Sequence, residues 1–355
     1  MNIKTIAILL PCWLILLCLS GCGHKPYARQ YKIALVHSYE EGYPDAERTR
    51  RLLCEALAKR GLSCDFREYF LNCDGLLSDK EEEFCSDFID DFTRWGAHLV
   101  AVLDDQATYS LMACGNPLLH DLPVVFSGVN YPNRQLLERY PNVTGYADAP
   151  DYLNTVRMLE RVMGKSRVCV INRNNVLDRF IWEDLMKQFD GQGYEIYCGR
   201  VGMHVSTHRK LGDDLPSLVP GVNWENERFD TTAIVRLNSD SLSLTQVAWT
   251  GYGSRTLCLF THRNFITVHS ASFFQNPCFA TVNKGFGLSD YALGGYFATI
   301  ETQLDDMGQG IAERLRGRMP AEQVRYCAKR YVVNWHVLQR YGIPLSCIPK
   351  EYTIM

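Results

Sequence analysis

From Tyr31 to Tyr146 the chain alternates strand and helix patterns with regularity, several of the strands being short, continuously apolar runs and the helices longer segments whose apolar residues recur at helical spacing. This alternation constrains the fold most. A strand apolar at consecutive positions is buried on both faces, and helices supplied by right-handed crossovers are what cover both faces of a parallel sheet. Lys32–His37 is the first such run. Asp45–Arg60 follows it with Leu52, Leu53, Ala56 and Leu57 at helical spacing, and Gly61 stops it. Ser63–Leu71 and a helix over Ser78–Trp95 make the second unit. Ser78 and Glu81 have capping-box spacing there, and Phe84, Phe88, Ile89 and Phe92 form the expected buried stripe. Leu99–Leu103 leads into a helix from Gln106 toward Cys114, and Pro123–Phe126 and Val143–Tyr146 supply two more strands.

A second series starts after Asp148. Asp151–Met163 is expected as helix, Arg167–Ile171 as strand, Leu177–Phe189 as helix and Tyr194–Tyr197 as strand. Residues 199–228 mix Gly, Pro and charge with little periodicity. Strands then return at Thr232–Leu237 and Thr256–Phe260 around a helix near Leu242–Trp249, and a late helix runs from about Gln303 to Arg318, closed by Gly317 and Pro320. Two such series predict an α/β protein with two doubly wound parallel-sheet lobes.

The first 22 residues have a different character. Lys4 supplies positive charge, Thr5–Leu19 is almost wholly apolar, and the run is shorter than the roughly 20 residues a spanning helix needs. Leu19-Ser20-Gly21-Cys22 closes it and resembles a bacterial lipobox, in which Cys22 becomes the lipidated N-terminus. The expected arrangement is a signal peptide over 1–21, a tether over 22–30, and an exported body on a membrane surface, because several acyl chains anchor firmly where one gives marginal attachment. The expected location is therefore the cell envelope, facing the extracytoplasmic space.

Composition fits a packed body of this kind. The charged fraction is 22%, the hydrophobic fraction 46% and the net charge -3, which leaves no basic surplus for nucleic acid. A body of about 330 residues exceeds one typical domain. Of the 14 cysteines, removing Cys12, Cys18 and Cys22 leaves 11, without Cys-x-x-Cys spacing. Cys54, Cys169 and Cys258 sit in apolar patterns where cysteine serves as a small hydrophobe, and one or two disulfides among Cys54, Cys64, Cys73 and Cys85 remain open.

Catalytic and metal signatures are weak. Asp104 and Asp105 are adjacent at a strand end, where successive side chains diverge, so they do not form a proton-sharing pair. His204 and His208 have helical metal-ligand spacing, but Val205-Ser206-Thr207 and flanking glycines favour a loop. Gly285-x-Gly287 lacks the third glycine of a dinucleotide loop. No Gly-x-Ser-x-Gly elbow, Walker loop or His-Glu-x-x-His occurs, so neither an enzyme nor a cofactor is expected.

Four segments carry a resemblance: His37-Ser38-Tyr39 with Gly42-Tyr43-Pro44, Asp104-Asp105, Pro123 through Asn130, and Asn142-Val143-Thr144-Gly145. Gly294-Gly295-Tyr296, Gly310 and Val333-Asn334-Trp335 with Leu338 add to it. The chain resembles the substrate-binding lipoproteins of ABC transporters, with the type I periplasmic-binding-protein fold, in a branch that also forms histidine-kinase sensing domains. The resemblance implies a three-strand hinge between lobe 1 (31–147 plus 303–319) and lobe 2 (148–302 plus 320–355). It implies a small organic ligand, an amino acid among the first to try, and delivery to an ABC permease or, alternatively, reporting to a separate membrane histidine kinase. Independently, open parallel sheets bind ligands beyond the carboxyl ends of their strands. Those ends read Ser38-Tyr39, Asp104-Asp105, Ser127-Gly128, Asn172 with Asn174, and Asn238, with Tyr39 or Tyr43 as an aromatic wall. Each has an ordinary alternative: a helix cap at Asp104 or Asp105, a tight turn at Ser127-Gly128, a β-α loop at Asn172–Asn175.

Overall fold

The computed structural model describes residues 30–43, 45–73, 78–164, 166–173, 176–194, 196–201, 255–260, 278–281 and 292–355. The first apolar run becomes β1 (Gln30–His37), and its alternation sets how it is covered. Ile33 and Leu35 face one side, Ala34 and Val36 the other, and all four are fully buried. Helix α1 (Ala46–Lys59), β2 (Ser63–Phe70), α2 (Ser78–Trp95), β3 (Leu99–Leu103), α3 (Asp104–Ala113), β4 (Val124–Val129), α4 (Arg134–Glu138) and β5 (Val143–Ala147) follow in turn. These strands pair in parallel in the order β5-β4-β3-β1-β2.

The two faces of this sheet are closed by different parts of the chain. On one, α2 and α3 bring Cys85, Ile89, Phe92, Ala107 and Leu111 against Ala34, Val36, Val100 and Phe126. The buried stripe of α2 thus runs through Cys85, Ile89 and Phe92, and Phe84, expected in it, is 43% exposed because it lies one position off that line. Similarly, α1 buries Thr49, Leu53, Ala56 and Leu57, which leaves Cys54 exposed rather than packed. Cys54 and Cys64 are free thiols.

On the other face, α1 is joined by a helix from far along the chain. After α5 (Tyr152–Met163), β6 (Ser166–Arg173), α6 (Val176–Phe189), β7 (Ile196–Val201), β8 (Arg255–Phe260), β9 (Cys278–Phe279) and β10 (Gly294–Phe297), the chain returns as α7 (Ile300–Leu315). Leu304, Met307 and Ile311 of α7 pack with Leu53 and Leu57 of α1 over Ile33, Leu35, Leu99 and Val125. Each such side chain contributes roughly 1.5–3 kcal/mol relative to exposure. The helices touch closely at Gly308, where a Cβ would lie 2.8 Å from that of Ala56. Arg60, directly after α1, grips both carboxylate oxygens of Asp305 at 2.9 and 3.0 Å. Helix α7 starts three residues earlier than its periodicity predicts, because Thr299 caps it by accepting from the Thr302 N–H at 3.4 Å.

The remaining elements form two smaller sheets. One is parallel, in the order β7-β6-β8-β9. The other joins β10 and β12 (Arg330–Val333) antiparallel, with β13 (Thr353–Ile354) parallel to β12. Strand β11 (Val324–Tyr326) pairs with β5 as the sixth strand of the first sheet, so part of the segment expected in lobe 2 lies with lobe 1. Tyr152, Val156 and Leu159 of α5, Phe189 of α6, Val333, and Val337 and Leu338 of α8 (Trp335–Arg340) make the second core. Strand β7 begins at Ile196 rather than Tyr194. Tyr194 instead packs edge-on against Phe189 and donates to Glu160 Oε2 at 2.6 Å. The expected strand at 232–237 and helix at 242–249, and His204, His208 and Gly285–Gly287, lie outside the described residues.

Candidate functional site

The strand order places β1 between β2 and β3. The chain therefore leaves β1 toward β2 on one side and recrosses to β3 on the other, and the loops beyond β1 and β3 diverge. A crevice opens where the winding reverses. At that point lies a cavity of ≈ 40 Å³. Its floor is His37, Ser38 and Tyr39 at the end of β1, Leu103 and Asp104 at the end of β3, and Gly128 in β4. The first turns of α1 and α7 form its sides through Asp45, Thr49, Ile300 and Gln303. Asp45 and Asp104 each stand at a helix start, where the dipole favours negative charge.

The expected site residues separate into those that line this cavity and those that build it. Tyr39, Asp104 and Gly128 line it. Tyr39 stacks on Tyr43, also a lining residue, with centroids 4.5 Å apart and planes 17° from parallel. Asp104 adopts φ +70°, uncommon for a residue with a side chain. Gly128, at φ +76°, leaves it room, since a Cβ there would lie 2.6 Å from Asp104 Oδ1.

Ser38 also borders the cavity, but its hydroxyl serves the protein. Its Oγ donates to Leu103 O at 2.8 Å and accepts from the Ala107 N–H at 2.9 Å. Ala107 lies in the first turn of α3, where amides have no intrahelical acceptor, so Ser38 caps that helix from another strand. The Asp105 carboxylate accepts from the Asn130 N–H at 3.0 Å and the Tyr131 N–H at 3.2 Å, holding the loop after β4. Buried Ser127 donates to Gln303 O at 3.3 Å and fastens α7 to the sheet. Asn172 is near the carboxyl end of β6, in register with Arg200. Asn174, Asn238 and Cys22 lie outside the described residues.

Sequence reasoning missed His37, Asp45 and Gln303 as lining residues. His37 closes β1 directly before Ser38, which is a usable signal. Its ring stacks on Phe70 at 4.6 Å, and Nε2 donates to Glu68 Oε2 at 3.1 Å, while Arg50 pairs with Glu68 Oε1 at 3.2 Å. Gln303 has no local signal, since it reaches the cavity only because α7 returns to the first sheet.

Among the described residues the chain passes between the first sheet and the other elements at three places: 148–151, 298–299 and 327–329. Tyr146, Ala298 and Cys327 cluster there. Near the first crossing the hydroxyls of Tyr131, from the loop after β4, and Tyr152, at the start of α5, share a hydrogen bond of 2.7 Å. Burial pushes Tyr131 well above its ordinary value, with Tyr152 and Asp184 adding to the rise. Among the described residues no group of three His, Cys, Asp or Glu side chains is placed to hold a metal ion, and no helix is long and apolar enough to cross a membrane.

No protein-family model matches the chain, and no curated protein matches it. Solved structures do. An ABC domain in complex with L-Trp from Streptococcus pneumonia is 15% identical, with a TM-score of 0.57 over 92% of this chain and 99% of that one. A conserved domain protein from Vibrio cholerae, also 15% identical, gives 0.59 with the same coverage. A ligand-free, open substrate-binding protein with adhesive properties from Clostridium difficile, 14% identical, gives 0.60, again over 92% and 99%. Likeness at this level of identity concerns the backbone, and it extends over nearly the whole of both chains. The chain has the fold of these proteins, the type I periplasmic-binding-protein fold.

Proposed function

We propose that this chain is a solute-binding protein that captures a small organic ligand between its lobes, without turnover, and passes it to an ABC permease. The observation that carries the reading is the cavity at the winding reversal of the first sheet, lined by stacked tyrosines and by acidic groups. At ≈ 40 Å³ it holds only a few atoms. The first lobe thus provides one wall, and closure of the second lobe supplies the rest. Asp45 and Asp104 suit an ammonium or another donor, and the Tyr39–Tyr43 stack suits a flat apolar face. An amino acid with an aromatic side chain meets both requirements, and the pneumococcal neighbour is a complex with L-Trp. In this reading Cys22 carries the lipid that keeps the protein at the extracytoplasmic membrane surface, beside its permease.

The test is thermal unfolding in the presence of L-tryptophan, other amino acids, sugars including myo-inositol, and nucleosides. A ligand at 100 times its dissociation constant stabilises the folded state by about 2.7 kcal/mol. A rise with an aromatic amino acid that is lost in Asp104→Asn supports the reading. Unchanged unfolding across the whole panel refutes it.

A further inference from the structure

The three crossings meet around one buried residue, Asp148. Asp148 is 1% exposed, and its N–H donates to Val129 O at 2.8 Å, anchoring the first crossing to β4. In the second crossing the Ala298 N–H donates to Asp148 Oδ1 at 3.4 Å. In the third, the Cys327 N–H donates to Ala147 O, one residue before Asp148, at 3.0 Å. From α7, Gln303 Nε2 donates to Asp148 Oδ2 at 2.8 Å and to Ala298 O at 3.1 Å.

A primary amide has two N–H donors and one carbonyl acceptor. Both donors of Gln303 are committed to the crossings, and Gln303 also lines the cavity. The polar atom it has left for a ligand is Oε1. We propose that Asp148 is a positioning residue for the cavity: it fixes the Gln303 amide so that Oε1 serves as the acceptor for a ligand donor, and proton uptake by Asp148 loosens that amide. The inference rests on the solute-binding reading for its ligand, but its geometry is independent of which ligand binds. It makes recognition of a donor at this point firmest when Asp148 is charged, since a hydrogen bond to a charged acceptor is roughly twice as strong as a neutral one.

The surroundings place the proton exchange near neutrality. Burial pushes Asp148 up to about 7, opposed by the hydrogen bond from Ala298, by Lys329 and by Gln303, and reinforced by Asp105 of α3. Cys327 in the third crossing and Asp306 of α7 complete the set, and burial raises both of them. Lys329 is thus the cation that favours the charged form of Asp148.

The experiment follows the side-chain amide of Gln303 by NMR in ligand-free chain labelled with 15N-glutamine, with the signal assigned by its loss in Gln303→Leu. The expected result is a shift with pH whose midpoint is near 7, absent in Asp148→Asn. Lys329→Gln keeps Asp148 in place and raises the midpoint, which tests the coupling even if Asp148→Asn does not fold. An amide insensitive to pH, an unchanged titration in Asp148→Asn, or a midpoint unmoved in Lys329→Gln overturns the proposal. A titrating amide alongside a ligand panel without a hit supports the Asp148–Gln303 coupling while refuting the binding reading, so the two failures are distinguishable.

Discussion

Replacing Ser38 by alanine tests whether the floor of the cavity is held by one hydroxyl. Ser38 is 1% exposed, and its Oγ satisfies both Leu103 O and the Ala107 N–H. Ser38→Ala strands both partners away from water. Each unsatisfied group costs about 1–3 kcal/mol, and a lost helix cap measured alone costs about 0.5–2 kcal/mol. The Ala107 N–H is counted in both, so taking it once as the lost cap and adding Leu103 O gives an expected loss of about 1.5–5 kcal/mol. Urea unfolding of wild type and variant is the assay, with the midpoint falling at constant slope. Because Ser38 joins the ends of β1 and β3 beside Asp104, ligand affinity should fall as well, although Ser38 need not touch the ligand. A loss below about 0.5 kcal/mol, the scatter of ordinary surface substitutions, would show that water or backbone movement satisfies Leu103 and Ala107, and the stapling argument would be wrong.

Burial raises Asp148 from 3.8 to about 7, so its contribution to stability is complete below the unfolded value and is lost as pH rises through the folded one. The loss is about 4 kcal/mol over that window, so Asp148→Asn should flatten the acid-to-neutral stability profile and exceed wild type above neutrality; parallel urea midpoints across pH would contradict this. Cys22→Ala should move the exported protein from the membrane fraction to the soluble one without altering the unfolding midpoint of the body, and retention on the membrane would rule out Cys22 as the anchor.

The first sheet was legible in the sequence because its information is local. Leu99–Leu103 is five consecutive apolar residues between His98 and Asp104, and the observed strand has those same limits. The carboxyl-end rule then identified Tyr39, Asp104 and Gly128 as residues that line the cavity. It could not separate lining from building, since whether Ser38 or Asp105 faces a ligand or the neighbouring loop depends on backbone turns such as the left-handed Asp104. Gln303 and Asp148 were illegible for another reason: they meet across 155 positions of sequence, through a helix whose own pattern says only that one face is apolar. Strands β9 to β13, of two to four residues each, are too short to display a period at all.

Helix α7 also dictates the order in which this molecule can be completed. Until Leu304, Met307 and Ile311 arrive, the face of the first sheet that carries Ile33, Leu35, Leu99 and Val125 is covered by Leu53 and Leu57 of α1 alone, and β5 lacks its outer neighbour β11. A nascent chain emerging from a ribosome or a translocation channel therefore carries an unfinished, adhesive N-terminal half through the whole synthesis of the middle segment. The first lobe is therefore expected to close late despite its early position, and a chain truncated after Ala147 is expected to aggregate rather than form an isolated domain.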